Sequence, residues 1–468
     1  GATRHALARL AALSLVVFTG PDEVFVHRWT AQCLLEPGPG LEEPARLAFH
    51  ARAGRYRLWR AGEEIHAVAD GMEAVRNLLQ AQDYEAAAQE TLTITGFLTG
   101  AHQLAAAGSF AGEVARLLPP TSPQYSALHD QEAQALIALG LTDQGLDAYR
   151  RLLDLHEQRV RAEPQRADYQ RDLSVSYERL GDLMGALGEG EAARQYLEKS
   201  LEIGERLARA EPQRADYQRD LSVSYERLGD LMGALGAGEA ARQYWEKSLE
   251  IAERLVRAEP QRADYQRDLS VSYIKLGDLM RALGEWEAAR QYFEKSLEIG
   301  DRLVRAEPQR ADYQRDLSVS YERLGDLMGA LGEGEAARQY LEKSLEIRER
   351  LERAEPQRAD YQRDLSVSYN TLGDLMGALG EGEAARQYFE KSLEIGERLA
   401  RAEPQRADYQ RDLVVSLWRM AQIDAPRSRA HLSRALFILQ GLRDGGRQVP
   451  QIDEMMADLE QRLGDATD

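Results

Sequence analysis

Apolar residues recur along this chain with the period of a helix, and they do so in paired stripes. After Ala162, the residues Leu173, Tyr177, Leu180, Met184 and Leu187 follow at steps of 4, 3, 4 and 3, which gathers them on one side of an α-helix. A second stripe, Ala193, Tyr196, Leu197, Ser200, Ile203 and Leu207, begins beyond Gly188-Glu189-Gly190, where glycine ends one helix and permits a tight turn. The step Ala162-Glu163-Pro164 separates this pair from what precedes it, because proline disfavours helix in the residue before it yet fits the first turn of the next helix. The pattern predicts a helical hairpin, helix A followed by helix B.

The hairpin is repeated. The phrase AEPQRADYQRDL begins at Ala162, Ala210, Ala258, Ala306, Ala354 and Ala402, a period of 48 residues, and five units are complete from Ala162 to Arg401. A fixed period of this size marks a solenoid, in which stacked neighbours bury one another's apolar faces. The expected fold is therefore an all-α solenoid of helical hairpins with a small N-terminal region outside the repeat. Residues 76–160 are read as degenerate hairpins, clearest from Ala133 to Leu155 and vaguer from Val75 to Leu118. Residues 402–468 are read as a degenerate sixth unit and a capping helix through Ile452, Met455, Met456, Leu459 and Leu463.

The spacing Tyr177-x2-Leu180-Gly181-x2-Met184, followed by Ala193, Leu197 and Ser200, resembles the helix A and helix B signature of tetratricopeptide repeats. That family's unit is usually about 34 residues, so extra turns are expected on both helices. The family's closing proline falls at Glu205, which lets helix B run on. Gly181 is expected to let helix B approach closely, outweighing the roughly 1 kcal/mol of helix propensity that glycine costs. The resemblance implies a right-handed superhelix whose concave face, lined by helix A, binds a protein or peptide.

In unit one that face comprises Arg171, Val175, Glu178, Asp182 and Gly185, and the equivalents are Glu226 and Asp230, Ile274 and Asp278, Glu322 and Asp326, Asn370 and Asp374. An acidic inner surface is expected, fitting a partner with a basic segment. Glu178 and Asp182 are like charges at i,i+4, which disfavour a helix by about 0.2–0.5 kcal/mol, and repetition of that cost suggests a use. The other reading is that Arg179 and Asp182 neutralise one another and that the acidity serves solubility. Unit three departs most from its neighbours, with Ile274, Lys275, Arg281 and Trp286. Exposed tryptophan and arginine are typical interface anchors; the competing reading is neutral drift, with Trp286 packed on an adjacent unit. Trp245, Phe293 and Phe389, standing where other units have Leu197 and Leu341, are expected in the core.

Residues 1–75 lie outside the repeat and are read as a winged-helix-like remnant (1–40) and a helical connector (41–75). Three segments, Val24 to Ala31, Ala48 to Tyr56 and Asn77 to Asp83, together resemble the passage from winged helix to repeat array in bacterial STAND signalling ATPases, relatives of the NLR immune receptors. The resemblance implies a ligand-sensing domain of a defence or signalling ATPase that oligomerises through its parent protein, and it puts His27 at the place of a histidine that contacts nucleotide. The plainer reading of His27 is an ordinary, partly buried histidine. The sequence contains no Gly-x4-Gly-Lys-Ser/Thr, so no phosphate cradle is complete here. The apolar stretch Ala6 to Phe18 could imitate a secretory signal, but it contains Arg9 and lacks a small-x-small cleavage site, which favours a buried helix or strand.

Composition narrows the function classes. Charged residues make up 29% and the net charge is -19, a field that repels nucleic acid and anionic membranes. The single Cys33 excludes an intramolecular disulfide and a cysteine-based zinc cluster, as expected of a cytoplasmic protein. None of the eight histidines lies in the five complete units, none forms HExxH, and no Gly-x-Ser-x-Gly elbow occurs. The carboxylates recur in every unit, unlike a unique catalytic pair. No catalytic residue, metal or cofactor is expected. The expected function is a protein-interaction scaffold, as a STAND sensor domain, with a free-standing adaptor as alternative and an enzyme with a site in residues 1–120 as a remote third.

Overall fold

The repeated phrase folds as a corner, and this corner sets the start of every helix A. In the computed structural model, which describes residues 16–18, 24–26, 47, 50, 67–100, 104–122, 124–445 and 452–465, Gln170 donates from Nε2 to the carbonyl of Pro164. Arg166 meanwhile binds Asp168 and lies 4.0 Å above the Tyr169 ring. Pro164, Arg166, Asp168, Tyr169 and Gln170, which recur at 48-residue intervals, thus all take part in turning the chain. At the other end of helix A, Gly188, Gly236, Gly284, Gly332 and Gly380 adopt φ of +74° to +80°, a left-handed conformation open to glycine at little cost. The next amide reaches back, Glu189 N to Met184 O at 2.9 Å, and closes the helix end.

Helix A and helix B of the five units are α6 (Ala167–Ala186) and α7 (Gly190–Ala210), α8 (Ala215–Ala234) and α9 (Gly238–Ala258), α10 (Ala263–Ala282) and α11 (Trp286–Ala306), α12 (Ala311–Ala330) and α13 (Gly334–Ala354), and α14 (Ala359–Ala378) and α15 (Gly382–Ala402). The 48-residue period therefore lengthens both helices, as the sequence leads one to expect. The apolar stripes form the core: Leu180 and Ala193 are fully enclosed, and so are Leu228 and Ala241, Leu276 and Ala289 in the next units. A Cβ on Gly181 would stand 2.6 Å from Leu197, so its absence is what lets the hairpin close. Trp245, Phe293 and Phe389 are buried, as expected.

The chain divides into two compact units. The first holds residues 1–98 and 106–131. Its described part contains β1 (Val16–Phe18), paired antiparallel with β2 (Val24–Val26) in the register Val16 with Val26. It also contains α1 (Ala67–Gln80), most of α2 (Tyr84–Gly100) and α3 (Leu104–Ala115), and the start of α4 (Tyr125–Ala138), packed around Val75, Leu78, Phe110, Val114 and Leu128. Val16–Phe18 is the end of the apolar stretch, here in a strand. His50 Nδ1 lies 3.1 Å from Asn77 Oδ1, both buried, which joins two of the three flank segments singled out in the sequence. His27 and Cys33, and with them most of residues 1–66, lie outside the described residues.

The second unit, residues 99–105 and 132–468, holds α5 (Thr142–Ala162), the five hairpins, α16 (Ala407–Ile423), α17 (Ser428–Asp444) and α18 (Ile452–Asp465). Leu417, Leu439, Met456 and Leu459 form one apolar cluster, so α18 covers what would otherwise be an open end of the array. The fold is an all-α helical-repeat solenoid with a short two-stranded element in its N-terminal region.

Candidate functional site

The helix A face is organised by ion pairs between successive units. Near the start of helix A, Arg171 forks onto Asp220 of the next unit, with Nη2 to Oδ1 at 3.1 Å, and the same pairing recurs as Arg219 with Asp268, Arg267 with Asp316, Arg315 with Asp364 and Arg363 with Asp412. About three turns along, Asp182 binds Arg227, Asp230 binds Lys275 at 2.9 Å, Asp278 binds Arg323 at 3.2 Å and Asp374 binds Arg419 at 3.0 Å. Both ladders run from helix A to helix A across a unit boundary.

These ladders correct the expected acidic groove. The aspartates at 182, 230, 278 and 374 are each answered by a cation of the following unit, so the face is a mosaic of paired charge. One of the two sequence readings neutralises Asp182 by Arg179 inside one helix; Arg179 does act on Asp182 electrostatically, and the ion pair adds the equivalent arginine 48 residues on, Arg227.

Glu178 is a second correction, because it does not line an open face. It is only 8% exposed, and its Oε1 accepts hydrogen bonds from Ser200 at 3.0 Å and Ser224 at 2.9 Å, with Arg227 Nε 3.3 Å from Oε2. Glu226 repeats this with Ser248 and Ser272, both at 3.0 Å. Burial holds both carboxyls above the usual range, while the serine hydroxyls, and Arg227 at Glu178, pull them down. Where Ile274 replaces the glutamate, the two serines turn to each other, Ser296 to Ser320 at 2.8 Å; where Asn370 replaces it, Ser392 and Ser416 do so at 3.1 Å. The like-charge spacing that suggested a ligand site is thus explained by junction packing.

Unit four differs most in its interior. Glu322 is paired with Arg348 of helix B, Nη1 to Oε2 at 2.6 Å, and Arg348 is 5% exposed. The guanidinium also bonds Ser318, Ser368 and the carbonyl of Asp364. Sister units carry Gly204, Ala252, Gly300 and Gly396 at this position. Sequence reading passed over Arg348, although a charged residue amid small ones on the buried side of helix B was a legible signal. At the next junction the second ladder breaks, because Thr371 stands where its sisters are Arg227, Lys275, Arg323 and Arg419.

Unit three, expected to hold the anchors, supplies less. Ile274 is half-buried, Arg281 lies 3.9 Å from Asp278, and Trp286 opens α11 at 40% exposure. Among the described residues no cation–π contact joins Arg281 to Trp286. The apolar part of the helix A face is instead a row of valines, with Val175, Val271 and Val367 exposed. Between units five and six a cleft of ≈ 340 Å³ opens beside Val367, Asn370, Arg411 and Val415. Among the described residues no cluster of three histidine, cysteine or carboxylate side chains could hold a metal, and no helix is long and apolar enough to cross a membrane.

Stacked hairpins joined through their A helices define a helical-repeat scaffold. Family profiles described as tetratricopeptide repeat match residues 222–302 and 268–350, and residues 173–208 and 365–400. The array within residues 173–400 is built of tetratricopeptide repeats. No curated protein matches it. Among solved structures it is similar to BtubC (BKLC) from P. vanneervenii, with 21% identity, 53% of this chain and 89% of that chain covered, and a TM-score of 0.42. It is also similar to a Signal Transduction ATPase with Numerous Domains (STAND) protein with a tetratricopeptide repeat sensor from Pyrococcus horikoshii, with 16% identity, 97% of this chain covered and a TM-score of 0.45. The chain spans 60% of that protein's length. A third likeness is to the apo form of RapI, at 17% identity over 66% of this chain and 99% of that one, with a TM-score of 0.42.

Proposed function

We propose that this protein-interaction scaffold is the ligand-sensing part of a STAND-type signalling ATPase, and that it binds rather than catalyses. The observation that carries the reading is the non-repeat flank ahead of the array. There the segments that resemble the winged-helix junction include a paired strand, Val24–Val26, and a buried link from His50 to Asn77. The partner meets the helix A face, whose exposed valines sit among paired charges and give an apolar strip with a polar frame, the usual anatomy of an interface. A free-standing adaptor would use the same face.

Reading the gene upstream of Gly1 separates the two. A Gly-x4-Gly-Lys-Ser/Thr motif in the same reading frame is the expected result. A start codon within a few residues of Gly1, with no such motif, would overturn the sensor reading and leave the adaptor.

A further inference from the structure

We propose that a partner protein inserts an arginine side chain against Asp326 on the helix A face, at the one junction of the second ladder where the array omits its own cation. The proposal rests on reading this face as the partner surface, and it adds a residue-level rule for what binds there.

The array itself shows what belongs at the site. Four equivalent aspartates hold a cation from the following unit: Arg227 at Asp182, Lys275 at Asp230, Arg323 at Asp278 and Arg419 at Asp374. Three of the four are guanidinium groups, whose planar fork matches a carboxylate. At Asp326 the following unit offers Thr371. That hydroxyl donates to Val367 O at 3.1 Å, on its own helix, and so does not replace the missing cation.

Charges around Asp326 come from three elements and leave it under-compensated. On its own helix α12, Arg323 is 3.8 Å away but already binds Asp278 at 3.2 Å, and Glu322 adds like charge. Helix α10 presents Arg281 and Asp278 within electrostatic range, and Arg348 of α13 is spent on Glu322. The Asp326 carboxyl is accordingly pushed up to about 6, by burial first and by Glu322 second. Its side chain keeps 30% of its surface, so it is reachable from solvent. A guanidinium arriving from outside would find the acceptor that four sister junctions use.

Thr371 is the only threonine between residues 162 and 401, and it provides a reporter beside the site. The full chain, labelled at threonine methyls, is titrated with Nα-acetyl-arginine amide and, separately, with the uncharged citrulline analogue. The Thr371 methyl signal is expected to shift with millimolar saturation for arginine and not for citrulline. In Asp326→Asn, with folding checked by circular dichroism, the affinity is expected to fall at least tenfold. Thr371→Arg, which rebuilds the ladder, should abolish the heat of arginine binding in calorimetry. An unmoved Thr371 signal, or equal affinity in Asp326→Asn or in Thr371→Arg, would overturn the proposal. No partner protein enters this titration, so a blank result removes the arginine site and leaves the partner-binding face itself to be judged by where a partner cross-links.

Discussion

Glu322 and Arg348 form a buried ion pair, 2.6 Å between Oε2 and Nη1, and the sister units have glycine or alanine at the position of Arg348. The pair makes sense only together with Thr371. In unit one the equivalent glutamate is held by two serines and by Arg227 of the next unit. In unit four that outer arginine is gone, and Arg348 supplies the cation from within. The substitution rescues Glu322 and leaves Asp326, one turn further on, without its cross-unit partner.

Removing one partner of a buried pair strands the other charge. Arg348→Gly should therefore destabilise the array by roughly 3–5 kcal/mol in denaturant unfolding. Adding Glu322→Ile reproduces the combination that unit three already uses, Ile274 with Gly300, and most of the loss should return. A double variant as unstable as the single one would show that Arg348 acts through Ser318 and Ser368 and not through Glu322.

Two helix A glycines separate packing from propensity. Gly181→Ala drives a methyl to 2.6 Å from Leu197, and a loss of about 1–3 kcal/mol is expected from overpacking. At Gly377, whose Cβ would meet nothing within 4 Å, alanine should instead add up to about 1 kcal/mol through helix propensity. Thermal or denaturant melts of both variants check the opposite signs.

Acid acts on two groups in opposite directions. His156, packed against Ser176 Oγ at 2.7 Å and facing Arg159 and Asp172, is held near 4 by burial, against 6.5 when unfolded. The folded chain binds fewer protons between those values, so its contribution is present above pH 6.5 and lost as the pH falls toward 4. Asp326 is raised to about 6 from 3.8, so the folded chain binds more protons there, and acidification through that window stabilises. Asp326→Asn should accordingly be more stable than the parent at pH 7 by roughly 1–3 kcal/mol, with the difference gone below pH 4. Unfolding curves at pH 4, 5.5 and 7 for the parent, Asp326→Asn and His156→Gln read both signs.

Much of the architecture was legible because the stripes are local: the spacing of Leu173, Tyr177 and Leu180 determines a helix face, and Gly188 marks where it must end. The charge pattern was not, because its meaning is set between units. Asp182 sits three residues from Arg179 and forty-five from Arg227, and helical spacing proposes the nearer partner while stacking brings in the farther one. Glu178 misled for the same reason, since a position opposite the stripe of its own hairpin is covered by Ser200 of its own helix B together with Ser224 and Arg227 of the next unit. Arg348 was visible as a departure, yet only its contacts with Glu322 and Ser368 give it a role.

The central claim is that partners meet the helix A face. A photo-activated cross-linker placed at Val271 or Val367 on the full chain, exposed to lysate of the source cells, should capture the same partner from both positions. The same group at Arg305 or Arg353, exposed near the end of helix B, should capture none of it. Capture of that partner from the helix B positions, with Val271 and Val367 silent, would contradict the account.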